Sequence, residues 1–145
     1  MKKETPTLSR EQSISVRRWY LVDAKDQVVG RLASDIASTL RGKKNPAFSP
    51  HIDNGDFVVV VNARHVRLTG KKVQDKQYYR HTGYPGGIRS MSAEQLLETS
   101  PEEVVKKAVA GMLPKNALGR NLAKKLKVYP DADHPHTAQG PVAQL

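Results

Sequence analysis

The stretch that most restricts what this chain can fold into is Phe57-Val58-Val59-Val60-Val61, held between Asp56 and Asn62. Five apolar residues in a row, four of them β-branched, show no alternation with polar ones. The run is too short for an ordinary helix and too β-branched to favour one. It predicts a central strand covered on both faces, as in a sheet with helices on either side. The turn cluster Asp53-Asn54-Gly55-Asp56 fixes where that strand begins.

The flanking segments are read against this strand. Trp19-Tyr20-Leu21-Val22-Asp23 is a strand of good β formers, and Lys25-Asp26-Gln27 turns the chain. Gly30-Arg31 opens a helix with Leu32, Ile36 and Leu40 on one face, and Gly42 is its stop. Val66–Thr69 is a short strand candidate ended by Gly70-Lys71-Lys72, and Gln77–His81 is another strand. That strand runs into a glycine-rich loop, Thr82-Gly83-Tyr84-Pro85-Gly86-Gly87-Ile88-Arg89. Ser92-Ala93-Glu94-Gln95 and Ser100-Pro101-Glu102-Glu103 both have capping-box form, the second with proline at the first helical position. A helix follows to Pro114, and Ala117–Leu126 repeats leucine at Leu118, Leu122 and Leu126. Strand, helix, strand, then further strand and helices predict an α/β layer structure with a helical second half. The expected organisation is a flexible basic arm over 1–18, one α/β domain over 19–128 and an extended tail over 129–145.

Charge supplies the second constraint. Twenty-four Lys and Arg against 14 Asp and Glu give a net charge of +10, and the pI is near 9.9. The signs segregate: Val104–Pro130 holds Lys106, Lys107, Lys115, Arg120, Lys124, Lys125 and Lys127 and no acid. Such a distribution predicts a polyanionic partner. Further cations sit on predicted turns, at Arg41, Lys43, Lys44, Lys71 and Lys72. In Tyr78–Arg89 the side chains of Arg80, His81, Tyr84 and Arg89 are interleaved with Gly86 and Gly87. Glycines there would let backbone N–H groups approach an anion, and tyrosine or arginine planes would stack on unpaired bases. The corner Gly111–Arg120 presents Lys115 and Arg120 at a helix start, a place suited to phosphate.

Other chemistries find less support. The Asp23–Gly30 connection has one glycine where a dinucleotide fingerprint needs three, and neither Gly42-Lys43-Lys44 nor Gly70-Lys71-Lys72 completes a phosphate-binding loop. His134-Pro135-His136 does not close a zinc site, and there is no cysteine. A small phosphate-handling enzyme or nuclease using His81, Asp53 and Asp56 is the enzymatic alternative, and a free-standing nucleic-acid binding module is the other. No apolar run approaches the roughly 20 residues that a membrane helix needs. No cofactor, metal, membrane or small-molecule substrate is expected.

Several blocks carry a family resemblance. Trp19–Ala24, Val29–Ala33, Gly55–Ala63, Leu68–Lys72, Tyr79–Gly87, Val109–Lys115, Leu118–Arg120, Leu126–Tyr129 and His134–Gln139 occur in unbroken order. Together they resemble the large-subunit ribosomal protein L13 family, bacterial type. Two departures stand out: Asn116-Ala117 where the bacterial pattern usually has Gly-Pro, and a longer lead-in over Met1–Arg18. The resemblance implies a three-layer α/β/α fold around a small, mainly parallel sheet and no enzymatic activity. It also implies large-subunit ribosomal RNA and neighbouring large-subunit proteins as partners, early in assembly, in the cytoplasm. The family's motifs fall on His81–Gly87 and Gly111–Arg120, the stretches that charge selects.

Overall fold

The computed structural model describes residues 9–143. The Phe57–Val61 run is strand β2, with Val58 to Val61 all buried. Trp19–Asp23 is β1 and pairs with β2 in parallel, Trp19 beside Phe57 through Asp23 beside Val61. Helix α2, Val29–Arg41, connects them. It buries Leu32, Ile36 and Leu40 as predicted and ends at Gly42, which takes the left-handed C-cap conformation at φ 81°. Leu126–Val128 forms β5 on the outer side of β2, and Val142–Ala143 forms β6 on the outer side of β1. The result is a four-stranded, all-parallel sheet in the order β5-β2-β1-β6.

This order dictates the layers. The steps β1 to β2 to β5 go one way across the sheet, and the step to β6 goes back past β1. Right-handed crossovers then put the returning connection on the opposite face. On the first face Val58 and Val60 pack with Leu32, Ile36 and Leu40 of α2 and with Val104, Val105 and Val109 of a long helix over Pro101–Met112. On the second face, set by the alternation of the strands, the Trp19 ring stacks on Phe57 with centroids 4.4 Å apart, and His136 lies 5.2 Å from Trp19. A 3₁₀ turn over Thr137–Gln139 belongs to the same connection. Helical structure thus flanks a mainly parallel sheet on both sides.

Between β2 and β5 the chain forms α3 (Lys72–Asp75), the antiparallel hairpin β3 (Gln77–His81) and β4 (Ile88–Ser92), then α4 (Ala93–Thr99), α5 (Pro101–Met112) and α6 (Ala117–Lys124). The capping box at Ser92 is present: its Oγ accepts from the Gln95 amide at 3.3 Å, and the Ser92 amide donates to Gln95 Oε1 at 3.2 Å. Ser92→Ala is expected to cost about 1 kcal/mol, read as a lower urea midpoint with an unchanged slope.

Several expectations need correction. The box at Ser100 does not form, because α4 ends where α5 begins and Ser100 serves both, its amide donating to Leu96 O. Ile88–Ser92, read as loop and helix start, is a strand, while Val66–Thr69 is reduced to a single bridge between Val28 and Arg67. Leu126 opens a strand and does not extend the leucine stripe of α6. Within the expected arm, Arg10–Ser15 is helix α1, capped by Ser9 and Gln12; residues 1–8 lie outside the described residues. The expected tail returns to the sheet through β6.

Candidate nucleic-acid interface

The carboxyl ends of parallel strands are where open α/β sheets hold their ligands, and here the chain itself fills that place. Asn62, left-handed at φ 59°, donates through Nδ2 to Asp23 Oδ1 at 2.8 Å. That bond is the main reason the Asp23 carboxyl sits below its usual range, with the Lys25 amide helping. The amides of Asn62, Ala63 and Arg64 donate to the carbonyls of Asp131, Tyr129 and Pro130 at 3.1–3.2 Å. Loop-to-loop hydrogen bonds therefore occupy the carboxyl ends of β1 and β2.

The acids of the nuclease alternative are likewise spoken for. Asp53 receives Arg17 at 2.9 Å and the Lys125 ammonium on its other oxygen. Asp56 Oδ1 accepts the Arg18 amide at 2.9 Å. His81 Nδ1 accepts the Gly83 amide at 2.9 Å, inside its own loop. Among the described residues no group of three or more His, Cys, Asp or Glu could hold a metal ion.

Lys125 was expected on the RNA-facing surface, and the structure puts it inside, 4% exposed. Its ammonium donates to Asp53 Oδ1, to Gly55 O at 2.8 Å and to Leu40 O at 3.4 Å. Gly55 is required there: a Cβ on it would come within 1.6 Å of the Leu40 carbonyl oxygen. The sequence signal available was the acid-bearing turn at Asp53–Asp56, a natural partner for one of the many lysines. Burial lowers the Lys125 pKa, and the Asp53 hydrogen bond and charge pull part of it back.

The remaining predicted cations are mostly solvent-facing. Lys43, Lys44, Lys71, Lys72, Arg80, Arg89, Lys106, Lys115, Arg120 and Lys124 are exposed, and Arg41 and Lys127 are half-buried. Lys107 is exposed but engaged, pairing with Glu103 at 3.2 Å and lying 5.2 Å from the centre of the Tyr78 ring. Lys115 and Arg120 meet across the α5–α6 corner in a cleft of about 330 Å³ lined also by Ala110, Leu113, Pro114, Asn116, Gly119 and Ala123. Asn116 caps α6, its Oδ1 accepting the Gly119 amide at 2.8 Å. The substitution of Asn for the usual glycine therefore supplies a regular N-cap, while the cap itself uses one amide expected to be free for phosphate.

The glycine loop needs a similar revision. Gly87 N–H donates to Tyr84 O at 2.9 Å, and Thr82 N–H donates to Gly87 O at 3.0 Å. With Pro85 at the second position and Gly86 at φ 71° in the third, Tyr84–Gly87 is a type II turn. These amides close the hairpin and are not offered to an anion. What the loop offers outward is side chains: Tyr84 is 77% exposed. Tyr79, which sequence reasoning did not single out as a contact, is 67% exposed.

The sequence that builds this fold matches a known family. The profile of Ribosomal protein L13 covers residues 17–135. The chain belongs to the ribosomal protein L13 family. It is 62% identical over 125 residues to the large ribosomal subunit protein uL13 of Desulfotalea psychrophila, covering 86% of this chain and 88% of that one. The uL13 of Chromohalobacter salexigens is 57% identical over 136 residues, 94% of this chain and 96% of the relative. That of Azotobacter vinelandii is 59% identical over 125 residues, 86% and 88% respectively. L13 is a non-enzymatic family, which agrees with the engaged state of Asp53, Asp56 and His81. Within this L13 chain the match spans β1 through β5 and most of the returning connection, so it includes both the hairpin and the α5–α6 corner.

Proposed function

We propose that this chain is a structural constituent of the large ribosomal subunit, that it binds large-subunit ribosomal RNA, and that it joins the subunit early in assembly, in the cytoplasm. Neighbouring large-subunit proteins would share its surface. The observation that carries this reading is the family match over 17–135 on a chain of net charge +10. The exposed cations lie on separate segments: the end of α2, the 71–72 turn, the hairpin, and α5 with α6. A rigid α/β body bearing them would contact several RNA segments and fix their relative placement, with affinity from phosphates and specificity from RNA shape.

Cosedimentation tests this. Tagged chain produced in a bacterial host should travel with large subunits through a high-salt wash, and ultraviolet crosslinking should recover large-subunit ribosomal RNA. Recovery only in the ribosome-free supernatant would overturn the reading. Equal binding to generic duplex DNA and ribosomal RNA would favour a free-standing module instead.

A further inference from the structure

The β3–β4 hairpin is bare on both sides. From Tyr79 to Met91 every residue except Gly87 is exposed. A two-stranded ribbon is marginal in water by itself, and one in a folded domain usually packs one face. Only the root is packed here: Tyr78 touches the core and lies 5.2 Å from each of the Lys76 and Lys107 ammonium groups, and the Ala93 amide donates to Lys76 O at 2.8 Å. Beyond the root the register sorts the side chains. Arg80 stands directly opposite Arg89 on one face. On the other, Tyr79 stands opposite Ser90 and His81 opposite Ile88, and Tyr79 and Ile88 are each 67% exposed.

Both faces are therefore unfavourable in the free chain. Like charges directly across a strand pair repel, and large apolar groups remain in water. No acid occurs anywhere from Gln77 to Ser92 to relieve the arginines. A partner that removes both penalties must present negative charge to one face and a flat apolar surface to the other, at the thickness of one ribbon. RNA does so where its helix is interrupted, since phosphates and unstacked bases then lie side by side. A regular A-form duplex does not, because its major groove is too deep and narrow for side chains and its minor groove is shallow.

We propose that this hairpin is a wedge that enters a non-helical element of RNA, a bulge, internal loop or junction. Arg80 and Arg89 sit on phosphates, and Tyr79 with Ile88 lies against an unstacked base. The wedge deepens the RNA-binding reading above and rests on it.

The test uses the full chain and two RNAs, a perfect duplex and the same duplex with an internal loop containing 2-aminopurine, followed by anisotropy and by 2-aminopurine emission. The looped RNA is expected to bind about tenfold tighter, the scale of one base stacked on an aromatic ring, with a change in emission. Tyr79→Ala combined with Ile88→Ser should abolish both the preference and the emission change, while Tyr79→Phe alone keeps them. Arg80→Gln with Arg89→Gln should flatten the slope of log affinity against log salt by about 1.4–1.8. Equal affinity of the wild-type chain for the two RNAs, or a preference that survives the Tyr79→Ala, Ile88→Ser change, overturns the wedge and leaves general RNA binding standing. Absence of binding to any RNA overturns the parent reading itself. Hairpin variants that bind both RNAs normally yet fail to cosediment with large subunits would assign the ribbon to a protein partner, and the wedge would be wrong.

Discussion

Between 50 and 200 mM salt the affinity of this chain for large-subunit ribosomal RNA is expected to fall by about 10³–10⁵, the loss that accompanies release of counterions from about six to ten phosphates. The figure follows from which cations are available. Ten of the predicted contacts (Lys43, Lys44, Lys71, Lys72, Arg80, Arg89, Lys106, Lys115, Arg120 and Lys124) are exposed. No ion pair among the described residues engages them. Lys125 is buried and Lys107 already has a carboxylate and a ring, so neither should add to the slope. Filter binding at a series of potassium concentrations gives the slope directly. A nearly flat response would mean that the exposed lysines and arginines are ordinary solvated groups, and the polyanion argument would fail with it. Replacing Lys115 and Arg120 together by Gln should reduce the slope, whereas Lys125→Met should leave it unchanged.

The second large effect concerns stability. Asp53→Ala is expected to destabilise the fold by about 3 kcal/mol, the low end of what breaking a buried pair costs. Lys125 would be left 4% exposed with only the carbonyls of Leu40 and Gly55 as partners, and Arg17 would lose its carboxylate as well. The low end applies because Asp53 retains some contact with water, its side chain being 21% exposed. Lys125→Met should cost much less, since Asp53 keeps Arg17 and the ammonium no longer needs solvation. Adding Lys125→Met to Asp53→Ala should restore most of the loss, which urea unfolding of the three variants would show. A pH dependence goes with it. The Lys125 pKa lies below its unfolded value of 10.5 because the charge is buried. Between the native pKa and 10.5 the unfolded chain binds more protons, so this group makes stability rise with pH in that window. The penalty for the buried ammonium is fully present below the native pKa and is relieved on the alkaline side. Lys125→Met should lose that alkaline gain.

The main elements of the fold were legible because their signals are local and apolar. The valine run could be covered only from both faces, the Leu32, Ile36, Leu40 stripe has helical period, and Ser92 with Gln95 announces a start. The hidden parts lack such signals. Ile88–Ser92 is a strand with water on both faces, so no alternation marks it. β5 and β6 have three and two residues, too few for any period, and are strands only because β2 and β1 offer free edges. At the interface, composition located the basic segments but could not distinguish a lysine facing solvent from one anchoring a loop. Lys124 and Lys125 are neighbours with the same side chain. One is exposed and the other sits 2.8 Å from the Gly55 carbonyl oxygen, a difference set by helix phase and by where Asp53 arrives from 72 positions away.

The pairing of β6 with β1 joins segments more than a hundred residues apart in the sequence. The β1–α2–β2 unit can assemble during synthesis from contacts nearby in the chain, whereas the Trp19 ring lacks its His136 neighbour until the returning segment has been made. Non-local parallel pairing of this kind closes slowly. Until then the Trp19 ring, stacked on Phe57, is an open aromatic patch on the growing chain. The emission of its single tryptophan would report the moment when that patch disappears.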